Sequence, residues 1–211
     1  MSDLALKSIS TIDTHMAQLM ENTMSTETPA KIEYSVNDDG VTHINVYTRG
    51  ATVLGRQLSN LSECNIEHPY FGHFRTLEGL WYYMKTNFLD DEFRILKGMK
   101  AREKGKVMPS KHYPLFNKMF KLGMLEKLDR NPTLQEQLKN NDLPLAHYYV
   151  YGDRIHTLNH HQWQLDYWQL LRTALVNVGT LTTIRKELND EIEFHLNNPE
   201  GMMARQANDA E

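Results

Sequence analysis

The chain has 211 residues, 40% of them hydrophobic and 24% charged, with a formal net charge of −4 at pH 7. That length supports a core without disulfide or metal staples, and the composition excludes a wholly disordered chain. The acidic balance argues against a domain that grips many phosphates over its whole surface, while leaving room for a local basic cleft.

Residues 1–30 carry Leu4, Leu6, Ile9, Ile12, Met16, Leu19 and Met20 at roughly helical spacing, ended by Glu27-Thr28-Pro29. This predicts an amphipathic N-terminal extension ahead of a main domain over residues 31–198, with a flexible tail over 199–211. Ile32, Tyr34 and Val36, then Asn37-Asp38-Asp39-Gly40, then Ile44 and Val46 predict a β-hairpin around an Asp-Gly turn. Residues 48–75 show no clear period and read as a long loop that can hide short strands. From Thr76 onward the pattern is mostly helical. Thr76 is an expected N-cap for a helix to about Phe88, and Asp90 or Asp91 for a second ending near Gly105. Tyr113, Phe116, Phe120 and Met124 mark a third helix, and Asn131-Pro132 opens a short one. Leu145 to Tyr151 reads as a buried strand. Trp163 to Val178 and Ile184 to Leu196 carry the apolar stripes of two more helices. The fold class expected is α+β, a mostly helical domain around a small β-sheet.

Three groups of residues bear on chemistry. On the helix opening at Thr76, Glu78 and Lys85 are seven residues apart, hence about 20° apart around the axis and about 10 Å along it. They share a face, too far apart for an ordinary i,i+4 ion pair. Trp81 and Tyr82 lie between them, while Leu77, Leu80 and Met84 can face the core. A carboxylate, an amine and two aromatics would line one wall, although a solvated Glu78 and Lys85 over a core Trp81 fit the same pattern. The second group is Gly55-Arg56-Gln57-Leu58-Ser59-Asn60, where glycine permits close approach, arginine offers a fork for phosphate, and Ser59 and Asn60 offer hydrogen bonds. The third is His147, His156, His160 and His161. His156 and His160 are i,i+4 and would suit a metal on a helix, but no HExxH-like carboxylate accompanies them, and Thr157 and Asn159 point to a turn. No metal and no cofactor is called for. Phosphate-loop, dinucleotide and nucleophile-elbow motifs are absent from the sequence. Cys64 has no identifiable base and reads as incidental.

Taken together, Leu54-Gly55-Arg56-Gln57-Leu58-Ser59-Asn60, then Thr76-Leu77-Glu78, then Lys85 seven positions after the glutamate, resemble the NADAR family with its YbiA-like fold. The resemblance runs loosely from about Ile44 to Val178 and is specific over 55–60 and 76–85. It departs where Leu61 replaces an aromatic and Thr76 a serine, and where Tyr151-Gly152 stands for Trp-Gly; this favours the branch acting on ADP-ribose over the riboflavin-linked one. The resemblance implies an N-glycosidase (ADP-ribosyl hydrolase) that removes ADP-ribose from guanine in nucleic acid, DNA before RNA. Such enzymes can serve bacteriophages against host toxins. It implies Lys85 as a covalent amine and Glu78 as general acid/base. Arg56 and Arg49 would hold the diphosphate, Ser59 and Asn60 the sugar or base. Trp81 and Tyr82 would desolvate the amine, and Tyr149, Tyr151 and Gly152 would contact a base. A nucleic-acid substrate further predicts a basic rim from Lys97, Lys100, Arg102, Lys104 and Lys106.

The alternatives are a glycosidase on a small nucleotide, a non-catalytic ADP-ribose-binding module, and a structural protein. No apolar run reaches the roughly 20 residues of a membrane helix, so no membrane partner is expected. Met1-Ser2-Asp3 lacks the basic flank of a signal peptide, and the single cysteine excludes an internal disulfide and a four-Cys zinc site. The cytoplasm is the expected location, the host's if a phage encodes the chain. Oligomeric state is not readable from these patterns.

Overall fold

Asn45 and Ala146 are 101 positions apart, yet their strands lie side by side. β1 (Ile44–Asn45) pairs in parallel with β4 (Leu145–Ala146), Ile44 opposite Leu145 and Asn45 opposite Ala146. The structure, a computed structural model, describes residues 34–111, 113–151, 154–157 and 161–198. The expectations for 1–30 and 199–211 lie outside them.

β1 replaces the expected hairpin. Val36–Asp38 is a single 3-10 turn, and among the described residues of that stretch, which leave out Ile32, only Asp39 and His43 bridge. Gly40 takes the positive φ (+92°) that the Asp-Gly pair called for. The ladder stops there because the Asp39 carboxylate accepts from Asn45 N (2.9 Å) and Ala51 N (2.6 Å), tying the turn to later residues. The long loop resolves into α1 (Val53–Leu58), β2 (Glu63–His68) and β3 (Gly72–Thr76), with β2 and β3 antiparallel. Cys64 lies in β2, not in a loop, and burial pushes its thiol pKa up.

β3 runs directly into α2 (Leu77–Lys85). Thr76 ends the strand and caps the helix, its side chain accepting from Gly79 N at 3.0 Å. Leu77, Leu80 and Met84 are fully buried, as their spacing predicts. The helix stops at Lys85, short of Phe88. Asn87 and Phe88 adopt positive φ (61° and 64°), and the Phe88 ring then packs among Phe71, Tyr83 and Tyr113. The expected second helix is split into a 3-10 turn at Asp91–Arg94 and α3 (Gly98–Lys106). The split lets Phe93 be fully buried and lets the Arg94 guanidinium cover the Phe74 and Tyr83 rings at 4.8 and 4.4 Å.

α4 (Phe116–Asp129) is the central helix. Leu122 to Leu128 are buried without interruption, because β2, α2, α5 (Pro132–Lys139), α6 (Gln162–Asn177) and α7 (Thr182–Asn197) all pack on it. Asn131 caps α5 as expected, accepting from Leu134 N at 3.1 Å. The stretch read as one buried strand is two: β4, then β5 (Tyr148–Tyr151), which pairs with an exposed β6 (Arg154–Thr157). The architecture is therefore α+β and mostly helical, its β part divided among three two-stranded pieces within the described residues. No helix among them is long and apolar enough to cross a membrane.

His68 joins β2 to the central helix. Its Nε2 bonds Met119 O at 2.9 Å, while Nδ1 accepts from Tyr70 N and Phe71 N. Nε2 therefore carries the proton and the ring is neutral. Burial holds its pKa down to about 4. The unfolded chain takes up a proton below about 6.5 that the fold refuses, so stability is lost as pH falls from about 6.5 to 4, by up to about 3 kcal/mol. In urea titrations over that range, His68→Gln should show a shallower decline than the parent; parallel declines would contradict this.

Candidate active site

One side of α2 carries Glu78, Trp81, Tyr82 and Lys85 at i, i+3, i+4 and i+7, and all four line one cavity of about 330 Å³. The turn after α1 adds Ser59, Asn60 and Leu61, and the chain after β1 adds Val46 and Tyr47. Arg102 enters from α3, His147 and Tyr149 from around β5, and His161, Gln164, Leu165 and Trp168 from the start of α6. Segments far apart in sequence thus converge on the acid–amine face.

Backbone bonds fix the first two of these segments to each other. Glu78 N donates to Asn60 O at 2.9 Å, so the Ser-Asn turn covers the first turn of α2. The Asn60 amide donates to Gln164 Oε1 (2.9 Å), and Gln164 Nε2 meets His161 Nδ1 (3.1 Å). Since the Gln164 oxygen is taken by Asn60, its nitrogen is the donor and His161 Nδ1 the acceptor. His147 Nδ1 bonds Val46 O at 2.7 Å. Below the turn, the fully buried Lys127 of α4 donates to Ser59 O (2.9 Å) and Ser62 Oγ (2.7 Å).

Trp81 stands edge-on to Phe116, Phe120 and His161, with centroids 4.6, 5.1 and 5.6 Å away, which sets its plane. The Lys85 ammonium lies 5.7 Å from the Tyr82 ring centroid. Tyr82 is seated by a glycine: a Cβ on Gly105 would lie 2.0 Å from its Cδ1. Burial is the largest influence on Glu78 and pushes its pKa up to about 7, with Arg102 and Lys85 pulling the other way. A carboxyl that populates both protonation states at neutral pH can give and take a proton in one cycle.

Of the residues singled out in the sequence, Glu78, Lys85, Trp81, Tyr82, Ser59, Asn60 and Tyr149 meet at the cavity. Arg49, Arg56 and Tyr151 are not among its lining residues. Arg56 donates from Nη1 to both Gly50 O and Ala51 O, 2.8 Å each, which ties it to the turn before α1 and away from the cavity lining. Tyr151 is 79% exposed at the end of β5. Gly152 lies outside the described residues. The basic rim is reduced: Lys97 pairs with Glu63 (3.4 Å), Lys100 with Glu103 (2.9 Å), and Lys104 with Asp90 (2.6 Å) and Glu92. His156 sits in the strand β6, stacked on Tyr149, and not on a helix, while His160 lies outside the described residues. Sequence reasoning missed Gln164 and Trp168 at the cavity and gave His147 and His161 no role beyond membership of a histidine group; their signal was only polar or aromatic residues near the start of a helix or strand.

Glu78 predicts an opposite pH trend to His68. Its folded pKa is raised from the ordinary 4.5 to about 7. Its contribution is complete below about 4.5 and is lost as pH rises through 7, by up to about 3 kcal/mol. Glu78→Gln should therefore gain stability over the parent as pH rises from 4.5 to 7 in urea titrations; a constant difference would contradict the buried, charge-averse carboxyl. Gly105→Ala should displace the Tyr82 ring and lower stability by about 1–3 kcal/mol, read by thermal melting.

No protein-family model and no curated protein matches the chain. Among solved structures, the NMR structure of the E. coli protein YbiA is similar, with a TM-score of 0.47 and 19% sequence identity over 67% of this chain and 93% of that one.

Proposed function

We propose that this chain is an N-glycosidase of NADAR type that removes ADP-ribose from guanine bases of nucleic acid, DNA before RNA, and so reverses ADP-ribosylation. Counter-defence by a phage is the setting this chemistry suits. The observation that carries the reading is that Glu78 and Lys85, two helical turns apart, open into the same aromatic-walled cavity. A reader module needs no such pair.

The chemistry follows from those groups. Loss of a base from ribose builds positive charge at the anomeric carbon. The Lys85 amine, in its neutral form, attacks that carbon and forms a C–N bond as the guanine nitrogen leaves with its bonding pair. The protonated Glu78 carboxyl supplies the leaving base with a proton and becomes a carboxylate. The bond from that carbon to the ring oxygen then breaks, the oxygen takes a proton from the new Lys85 ammonium, and an iminium is left on Lys85. Water, deprotonated by that carboxylate, adds to the iminium carbon, and C–N cleavage releases ADP-ribose and restores both groups. Trp81 and Tyr82 thin the water around the amine, Asn60 and Ser59 offer hydrogen bonds to sugar or base, and Tyr149 offers a stacking face.

One observation favours a second reading. The rim lysines 97, 100 and 104 are already paired with carboxylates, which suits a free ADP-ribosyl nucleotide better than a long polyanion.

The test offers guanine-ADP-ribosylated oligonucleotide and the corresponding free nucleoside, measures released ADP-ribose, and adds borohydride during turnover. Release from the oligonucleotide, a reduced adduct on Lys85 by mass spectrometry, and a rate at least about a hundredfold lower in Lys85→Ala are expected. Release only from the free nucleoside would move the substrate to the second reading. Undiminished release in Lys85→Ala without an adduct would remove the amine from the mechanism.

A further inference from the structure

α3 carries Gly98, Ala101 and Gly105 at i, i+3 and i+7, one stripe of small residues. It lies flat against the site: a Cβ on Gly98 would fall 2.4 Å from Leu61 O, and one on Gly105 strikes the Tyr82 ring. Ala101 is fully buried. Arg102, four residues after Gly98 and three before Gly105, flanks that stripe and lines the cavity. Its helix neighbours Lys100 and Lys104 and the preceding Lys97 are each ion-paired, whereas no carboxylate among the described residues lies within ion-pair distance of Arg102. The helix thus brings an unpaired guanidinium to the mouth of the cavity, with Lys85 as the second cation on its wall.

We propose that Arg102 is the phosphate anchor of this cavity, taking the oxygens of a phosphate or diphosphate ester with its planar fork. The identity of the ligand as ADP-ribose rests on the glycosidase reading; the anion site does not. Arg102 then does what Arg49 and Arg56 were expected to do. An exposed guanidinium beside an aromatic wall suits a diphosphate whose nucleoside end enters the cavity and whose phosphates stay near water.

The site has a built-in reporter. Arg102 and Lys85 are the charges that hold the Glu78 pKa below where burial alone would set it. The other titratable groups on the cavity wall are Tyr47 after β1, Tyr82 on α2, His147 and Tyr149 by β5, and His161 before α6. An anion that neutralises Arg102 removes one restraint and adds negative charge, so its binding draws a proton onto Glu78 near pH 7.

Calorimetry with inorganic pyrophosphate and with ADP-ribose, in two buffers of different ionisation enthalpy at pH 7, tests this on the full chain. The parent should bind both and take up protons with ADP-ribose, whose phosphate ester groups do not titrate near pH 7. Arg102→Gln should weaken both by at least about tenfold and abolish the uptake, while Lys104→Gln, on the same helix, should match the parent. Circular dichroism melts confirm that each variant is folded. Unchanged affinity in Arg102→Gln, equal weakening in Lys104→Gln, or no binding of either probe by the parent would overturn the anchor. Pyrophosphate bound through Arg102 without release of ADP-ribose from modified guanine would reject the glycosidase reading and keep the anchor. Release with an unchanged KM in Arg102→Gln would do the reverse.

Discussion

The ammonium of Lys127 is buried inside the central helix bundle, where an unsatisfied charge would be costly. Burial lowers its pKa, and its hydrogen bonds go to Ser59 O and Ser62 Oγ. Those bonds fix the turn whose next residue, Asn60, accepts from Glu78 N and donates to Gln164. The order of dependence runs outward from α4 to the turn, then to α2 and α6. A surface lysine could not impose this, because it would trade protein acceptors for water at little cost.

The two pH-sensitive buried groups have opposite consequences. His68 is kept neutral at a structural joint between β2 and α4 and opposes acid. Glu78 is kept close to neutrality at the cavity wall and opposes base. Between about pH 4.5 and 6.5 their effects on stability run against each other, so the fold tolerates a carboxyl that is poorly solvated at the pH where it would act.

Much of α2 was legible from its residues alone. Thr76 as cap, the buried set Leu77, Leu80 and Met84, and the shared face of Glu78 and Lys85 all follow from a 3.6-residue period. The opposite wall was not legible, since nothing local marks Gln164 or Trp168 as neighbours of residue 60 or 78. Lys127 looks like any helix lysine until it is seen as one of seven consecutive buried residues, Leu122 to Leu128. Arg56 misled for a related reason: a Gly-Arg pair signals a phosphate contact only where the guanidinium reaches the cavity, and here two carbonyls of its own turn hold Nη1 beside α1. The β1–β4 pairing was hidden by its sequence separation, and the hairpin that the alternation suggested is cut short by the side chain of Asp39.

Thr76 serves at once as the last residue of β3 and the cap of α2, which leaves no slack between strand and helix. Phase is therefore transmitted rigidly across that joint. One inserted residue would rotate the helix by about 100° and carry acid and amine off the cavity together, even if the core repacked. Variation in chain length should be tolerated elsewhere, at the exposed strand β6, and forbidden at this junction.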